Sequence, residues 1–389
     1  MLKKWLSDAS LSTVVAGFVA VLVGFTSSAA IVFSAAQALG ANEAQTASWM
    51  WALGLGMGGT SLVLSLWYRQ PVLTAWSTPG AAVLAVTQGV TLPEATGAFI
   101  VSALLIMGVG YSGLFERWMA RIPLALASAL LAGVLARFAL DAVGAVGQAP
   151  VLVLCMAGSY LLGRRFFPRW AVPCVLAVGM AVAALQGQLN AAQIAWTWAT
   201  PVWVSPEWRW GAMVSVALPL FIVTMASQNL PGVAAQRSAG YNTPISPVIG
   251  ATGCVTLLLA PFGGYALNLA AITAAICMGR EAHADPTRRY TASAVAGLFY
   301  ILLGLAGASI VSLMAAFPKA LVLAVAGLAL VSTIASSLST AMKDEGHRDG
   351  ALLTFLVTLS GLSIAGVGAA FWGLLAGIVA LWALSARKA

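Results

Sequence analysis

Charge is what this 389-residue chain has least of: Asp, Glu, Lys and Arg make up 8% of it, against 61% hydrophobic residues. With a mean hydropathy of +0.94, that scarcity excludes a soluble globular protein of this length. Cysteine is also sparse. Cys155, Cys174, Cys254 and Cys277 lie in apolar runs without CxxC spacing. They read as small buried hydrophobes, and neither a disulfide framework nor a metal centre is expected. There is no Walker A, GxSxG or HExxH motif. An ATP-driven pump or an intramembrane hydrolase therefore has no support; neither enzyme chemistry nor a cofactor is expected. A cleavable signal peptide is not expected either, because the apolar run after Lys3-Lys4 is too long and lacks a clear cleavage site. The formal charge of +8 does not point to nucleic acid. The basic residues are spread over short loops, which is the topology signal of an inner-membrane protein.

Long apolar runs are what the chain does have. Spans fall at 11–38, 47–67, 71–89, 95–115, 122–143, 149–163, 169–186, 210–231, 245–260, 261–279, 291–314, 318–342, 350–363 and 366–386, about fourteen at the ~20 residues a helix needs to cross a bilayer. The fold class is an all-α polytopic membrane protein embedded in lipid. Alternation from a cytoplasmic N-terminus puts sixteen of the nineteen Lys and Arg on the cytoplasmic side, Arg209 and Lys319 outside, and Arg137 within a span. So lopsided a division predicts an even number of crossings, both termini inside, in the bacterial inner membrane. The long external connection 187–210 carries Trp196, Trp198, Trp203, Trp208 and Trp210, expected as an interfacial belt or a short surface helix.

Two of these stretches cannot be ordinary spanning helices. PVLTAWSTPGAAVLAVTQG (71–89) has Pro71 at one end and Ser77-Thr78-Pro79 in the middle. Proline suits the first turn of a helix, so the residues predict an extended lead-in over 72–77 and a half-length helix capped by Thr78. PFGGYALNLAAITAAICMG (261–279) repeats the design, with Gly263-Gly264 and with Asn268 as a cap seven residues after Pro261, as Thr78 lies seven after Pro71. The halves also echo each other: Ser28 and Gln37 recur as Ser227 and Gln236, and AQALGAN (36–42) faces AQRSAGYN (235–242). Seven spans separate the copies, which implies two inverted seven-segment repeats with broken segments 3 and 10, as expected of a secondary transporter. The N-termini of the two half-helices would then meet near mid-membrane, where N–H groups and positive dipole ends suit an anion.

Around that point lie Thr26-Ser27-Ser28, Ser227-Gln228-Asn229, Thr78, Gly80, Gly264 and Asn268, with Phe25, Trp76 and Tyr265 placed to enclose a flat ring. No carboxylate falls among them. Arg137 and Asp141, four apart on one helical face, are expected to pair with each other, in a structural more than a functional role. The run from Arg280 through Glu281, His283 and Asp285 to Arg289 reads as a charged cytoplasmic turn, with a gate or proton relay as the alternative.

AWSTPGAA (75–82), MASQNLPG (225–232) and APFGGYALNLAAITAAICMGREAHADPTRRY (260–290) resemble the bacterial benzoate/proton symporter (BenE) family, a resemblance that covers nearly the whole chain. The family is distantly similar to uracil/xanthine and sulfate permeases. The resemblance implies a core domain from segments 1–4 and 8–11 (1–116 and 210–315) and a gate or scaffold domain from segments 5–7 and 12–14 (117–209 and 316–389). It also implies substrate bound between them, proton-coupled benzoate uptake by alternating access, and assembly as a homodimer. The nucleobase relatives carry a glutamate in the eighth segment, where this chain has Gln228 and Asn229. That departure fits a carboxylate substrate, which a fixed negative charge would repel. A nucleobase or inorganic-anion permease, and a passive channel, are the alternatives.

Overall fold

The computed structural model describes residues 8–85, 87, 89–115, 123–167, 171–189, 198–307, 309, 317–362 and 369–385. In chain order the elements are α1 (Leu11–Ala38), α2 (Glu43–Tyr68), β1 (Thr74–Trp76), α3 (Thr78–Ala85), α4 (Leu92–Tyr111), α5 (Leu124–Gly144), α6 (Pro150–Phe166) and α7 (Ala171–Leu185). They continue with α8 (210–238), α9 (Ile245–Leu259), β2 (Leu267–Leu269), α10 (Ile272–Met278), α11 (Tyr290–Ala306), α12 (Lys319–Lys343), α13 (Arg348–Ser360) and α14 (Ala369–Ser385). Among the described residues, the runs of α2, α4, α5, α9, α11 and α12 are the six long and apolar enough to cross a membrane.

Local chemistry fixes where several helices begin. Ser10 and Thr13, Asn42 and Gln45, and Thr91 and Glu94 form reciprocal capping boxes at the starts of α1, α2 and α4; each satisfies two donors that a helix start would otherwise leave open. In α8, two π-helical turns, Met213–Ala217 and Met225–Asn229, each end just before a proline-bearing turn. Pro219 and Pro231 cannot donate to the carbonyl four residues back, and their rings crowd it, so the helix widens by one residue there. Leu218 and Leu230 accordingly donate five residues back, to Met213 O and Met225 O.

The helices pack as two groups. In one, α2 lies along α11, α4 along α9, and α1 against α11, α3 and α10; in the other, α5 lies along α12, α13 against α14 and α5, and α6 against α7. Glycines let backbones approach closely within the first group. A Cβ on Gly54 would lie 2.5 Å from Gly304 Cα, and one on Gly110 would lie 2.5 Å from Gly250 N. Such small-residue seams give van der Waals contact that membrane helices, lacking a hydrophobic drive between them, depend on. The stretch 198–209 is neither helix nor strand and lies over the ends of α4, α9 and α11 through Glu207 N–Pro93 O, Val204 N–Pro261 O and Ala199 N–Leu305 O bonds. A surface helix is thus absent from its described part, and Trp198, Trp203, Trp208 and Trp210 are exposed; Trp196 lies outside the described residues.

β1 and β2 pair antiparallel inside the first group, Thr74 opposite Leu269, Ala75 opposite Asn268 and Trp76 opposite Leu267. Extended backbone buried this deeply needs partners, because an unpaired N–H or C=O in an apolar surround costs several kcal/mol. Polar side chains of the neighbouring helices supply them. Ser61 Oγ accepts Thr74 N–H at 3.0 Å, Ser65 Oγ donates to Val72 O at 2.8 Å, Thr256 Oγ1 accepts Leu267 N–H at 3.0 Å, Asn229 Oδ1 accepts Leu269 N–H at 2.9 Å, and Gln236 Nε2 donates to Pro71 O at 2.6 Å.

Candidate functional site

The start of α3 is set by Ser77 rather than Thr78. Ser77 Oγ accepts Gly80 N–H at 3.1 Å and is itself held by the Thr224 hydroxyl at 3.0 Å. Thr78 is the first helical residue, which frees its side chain to face a cavity. At the other strand, Asn268 does not cap α10. Pairing with β1 consumes 267–269, Asn268 Nδ2 turns back to Ala266 O at 3.1 Å, and its buried Oδ1 has no hydrogen-bond partner among the described residues. Ala271, which offers no side-chain cap, precedes α10.

The first turns of α3 and α10 open onto one cavity of about 240 Å3. Its wall comprises Thr78 and Pro79 from α3, Ala270–Thr273 at the start of α10, Val23, Gly24 and Ser28 from α1, Met57, Ala75, Trp76, Gln228, Tyr300 and, from the second group, Phe138 of α5. At slightly less than the ~300–1,000 Å3 of drug-sized pockets, it suits a small ligand. Trp76, Tyr300 and Phe138 give it aromatic faces. Ser28, Thr78, Thr273 and Gln228 give it hydrogen-bonding groups, and no charged residue lines it. Trp76 is fixed in orientation: its Nε1 donates to Ser28 Oγ at 2.9 Å, and Phe25 packs edge-on against it at 4.9 Å. Tyr300 and Thr273 converge on Gly24, where a Cβ would lie 2.8 Å from the tyrosine hydroxyl and 3.2 Å from Thr273 Cγ2. Gln228, within the second π turn, lines this wall and has a side-chain amide without a partner among the described residues.

Other residues singled out from sequence sit elsewhere. Phe25 is buried behind Trp76. Tyr265 is buried against Trp49 and Phe99, ring centroids 5.6 and 5.9 Å away. Gly80 packs on Leu220, and Gly264 on the Leu259 backbone. Asn229 is fully buried, bonded to Leu269 N–H and Met225 Sδ. The side chains of Ser27 and Ser227 lie outside the described residues. Sequence reasoning missed Tyr300, Phe138 and Thr273. Thr273 was visible as a polar residue near the start of the half-helix; Phe138 carried no signal, because its helix belongs to the group assigned away from the site.

Arg137 and Asp141 do not pair. Both are exposed, and Arg137 Nη1 donates instead to Ser360 O at 3.2 Å, at the end of α13. The terminal carbonyls of a helix carry partial negative charge, which suits a guanidinium donor. Beyond α10, Arg289 organises the turn 279–289 by donating to Met278 O and His283 O, each at 2.8 Å. His283 Nδ1 accepts Asp285 N–H at 3.0 Å. The Thr287 hydroxyl and N–H, helped by Arg288 and His283, hold the Asp285 carboxyl below the usual carboxylate range. Glu281 points the other way, to Arg164 of α6 at 2.5 Å and to the Ser332 hydroxyl of α12 at 3.2 Å. Among the described residues no cluster of His, Cys, Asp and Glu could hold a metal ion.

The family described as benzoate membrane transport protein matches residues 7–383. The chain is 50% identical over 366 residues, 94% of either protein, to the inner membrane protein YdcO of Escherichia coli (strain K12). It is 40% identical over 390 residues to the benzoate membrane transport protein of Acinetobacter baylyi, covering 100% of this chain and 99% of that protein. Among solved structures, SLC26A9 superposes with a TM-score of 0.53 at 12% identity, covering 99% of this chain and 67% of that one, a likeness of fold alone. This polytopic helical membrane protein belongs to the benzoate membrane transport protein (BenE) family, a family of transporters rather than enzymes.

Proposed function

We propose that the chain carries benzoate, or a closely related aromatic carboxylate, into the cell together with protons, by alternating access across the inner membrane. The observation that carries this reading is the cavity at the starts of α3 and α10: small, aromatic-walled, supplied with neutral donors and without an acid. Trp76, Tyr300 and Phe138 take the ring. Gln228, Thr78 and Thr273 take the carboxylate, since hydrogen bonds to a charged group are the stronger kind, roughly 1.5–3 kcal/mol each. The 40%-identical benzoate transport protein supports the choice of substrate.

Fourteen segments in two inverted sevens, α1–α7 and α8–α14 with α3 and α10 as the broken ones, form the frame. The packing supports it: α2 on α11 and α4 on α9 exchange when each index is shifted by seven, and α5 on α12 maps to itself. The core (1–116, 210–315) moves against the gate (117–209, 316–389), with both termini cytoplasmic and the chain a homodimer. With no acid in the cavity, the proton travels on the substrate's own carboxylate or through Glu281 beyond α10. Uptake of labelled benzoate into proteoliposomes under an inward proton gradient tests the proposal. Accumulation above a gradient-free control is expected, and its absence overturns the reading. Displacement by uracil or sulfate would instead favour the permease alternative, and downhill flux alone a channel.

A further inference from the structure

A larger cavity, about 420 Å3, lies at the opposite end of α10 and differs from the first in charge. Its wall contains Arg164 of α6, Arg280, Glu281 and Arg289 from the turn after α10, and the hydroxyl-bearing Ser238 and Ser337 of α8 and α12. Three cations therefore face one anion. The anion is accounted for, because Glu281 is bonded to Arg164. Arg289 is engaged by three carbonyls, those of Met278, His283 and Ala284. Arg280 has neither an ion pair nor a hydrogen bond with any described residue. A concave surface lined by an excess of one sign concentrates ions of the other sign, because the low-dielectric walls focus the field. A guanidinium presents parallel N–H donors matched to a carboxylate.

We propose that this cavity is a second carboxylate site, with Arg280 as the group that holds the anion, and that it receives the substrate on its passage to or from the neutral cavity. The inference rests on the transport reading above. The seven residues of α10 put the two sites about 10 Å apart along its axis at ~1.5 Å per residue. The two sites divide the work. The neutral one reads ring and carboxylate together through Trp76, Tyr300 and Gln228. The cationic one reads charge, with no aromatic residue in its wall. The Arg164–Glu281 pair joins the two helix groups beside it, whereas the pairs Arg288–Asp8 and His347–Asp344 each stay within one group. The cavity is thus bounded by both groups and changes shape when they move.

Equilibrium dialysis of labelled benzoate against the purified full chain, at low and at high salt, tests this. The wild type should bind two equivalents, one of them lost at high salt and displaced by acetate, because an exposed charge-only site is screened and indifferent to the ring. Arg280→Gln should bind only the salt-resistant equivalent, and Arg280→Lys, which keeps the charge, should bind both. A wild type with one equivalent that Arg280→Gln leaves intact would overturn the second site and leave the transport reading standing. No bound benzoate in the wild type would overturn both.

Discussion

The side-chain carbonyl of Asn229 accepts the backbone N–H of Leu269 at 2.9 Å, tying α8 to the strand that leads into α10. Both partners are buried, Asn229 completely. An asparagine that looked like a donor for the substrate thus closes the ledger of backbone hydrogen bonds in β2. Asn229→Ala leaves a buried N–H unpaired and should cost about 1–3 kcal/mol of stability. Thermal unfolding in detergent reads it. An unchanged midpoint with abolished benzoate binding would return Asn229 to the substrate.

Gln228, one residue earlier, should behave in the opposite way. It lines the cavity, and its amide has no hydrogen-bond partner among the described residues. Gln228→Ala should weaken benzoate binding at least roughly tenfold, as the loss of about 1.5 kcal/mol or more predicts, with the unfolding midpoint unmoved. Equal loss of stability and affinity would show that the residue packs rather than binds.

The aromatic wall can be probed through its volume and its ring faces. Gly24→Ala places a methyl 2.8 Å from the Tyr300 hydroxyl and 3.2 Å from Thr273, so the ring or the helix must shift. Overpacking of this kind costs about 1–3 kcal/mol, and affinity for benzoate should fall with it. Trp76→Phe keeps an aromatic face but leaves Ser28 Oγ without the indole donor, and should bind more weakly than wild type but better than Trp76→Ala. Equal affinity for the two Trp76 variants would remove the ring from the site.

Acid should loosen the turn after α10. The Asp285 carboxyl is held below its ordinary value by the Thr287 hydroxyl and N–H. Its contribution is therefore complete above the unfolded carboxylate value of about 3.9 and is lost as pH falls through the depressed folded value. Hydrogen-exchange protection across 279–289, corrected for the intrinsic pH dependence of exchange, should be constant from neutrality down to mildly acidic pH and should fall only below the usual carboxylate range. Thr287→Val should move that onset upward. An onset indifferent to Thr287 would refute the assignment.

Much of the fold was legible because the bilayer reduces the choice of structure. Hydropathy marks α1 at 11–38 and α12 within a residue of its observed ends, since a chain in lipid must satisfy its backbone within each segment. Pro71, Pro79 and Pro261 marked where such satisfaction fails. What replaces it was not legible. Ser61, Ser65, Thr256, Asn229 and Gln236 look like unremarkable polar residues in apolar runs until two strands are laid beside them.

The site divides along the same line. Trp76, Thr78 and Gln228 were readable as polar or aromatic groups beside the broken stretches, and they do share a cavity wall. Phe138 and Tyr300 join it from helices far away in sequence, Asn229 leaves it for a backbone partner, and Arg137 abandons Asp141 for the end of α13. By itself the sequence determined the class of the protein, a polytopic helical membrane protein, because composition acts locally. Which side chain faces the cavity and which one secures a strand was decided by tertiary structure alone, because a hydrogen bond goes to the nearest unsatisfied partner, and distance between helices is written only in three dimensions.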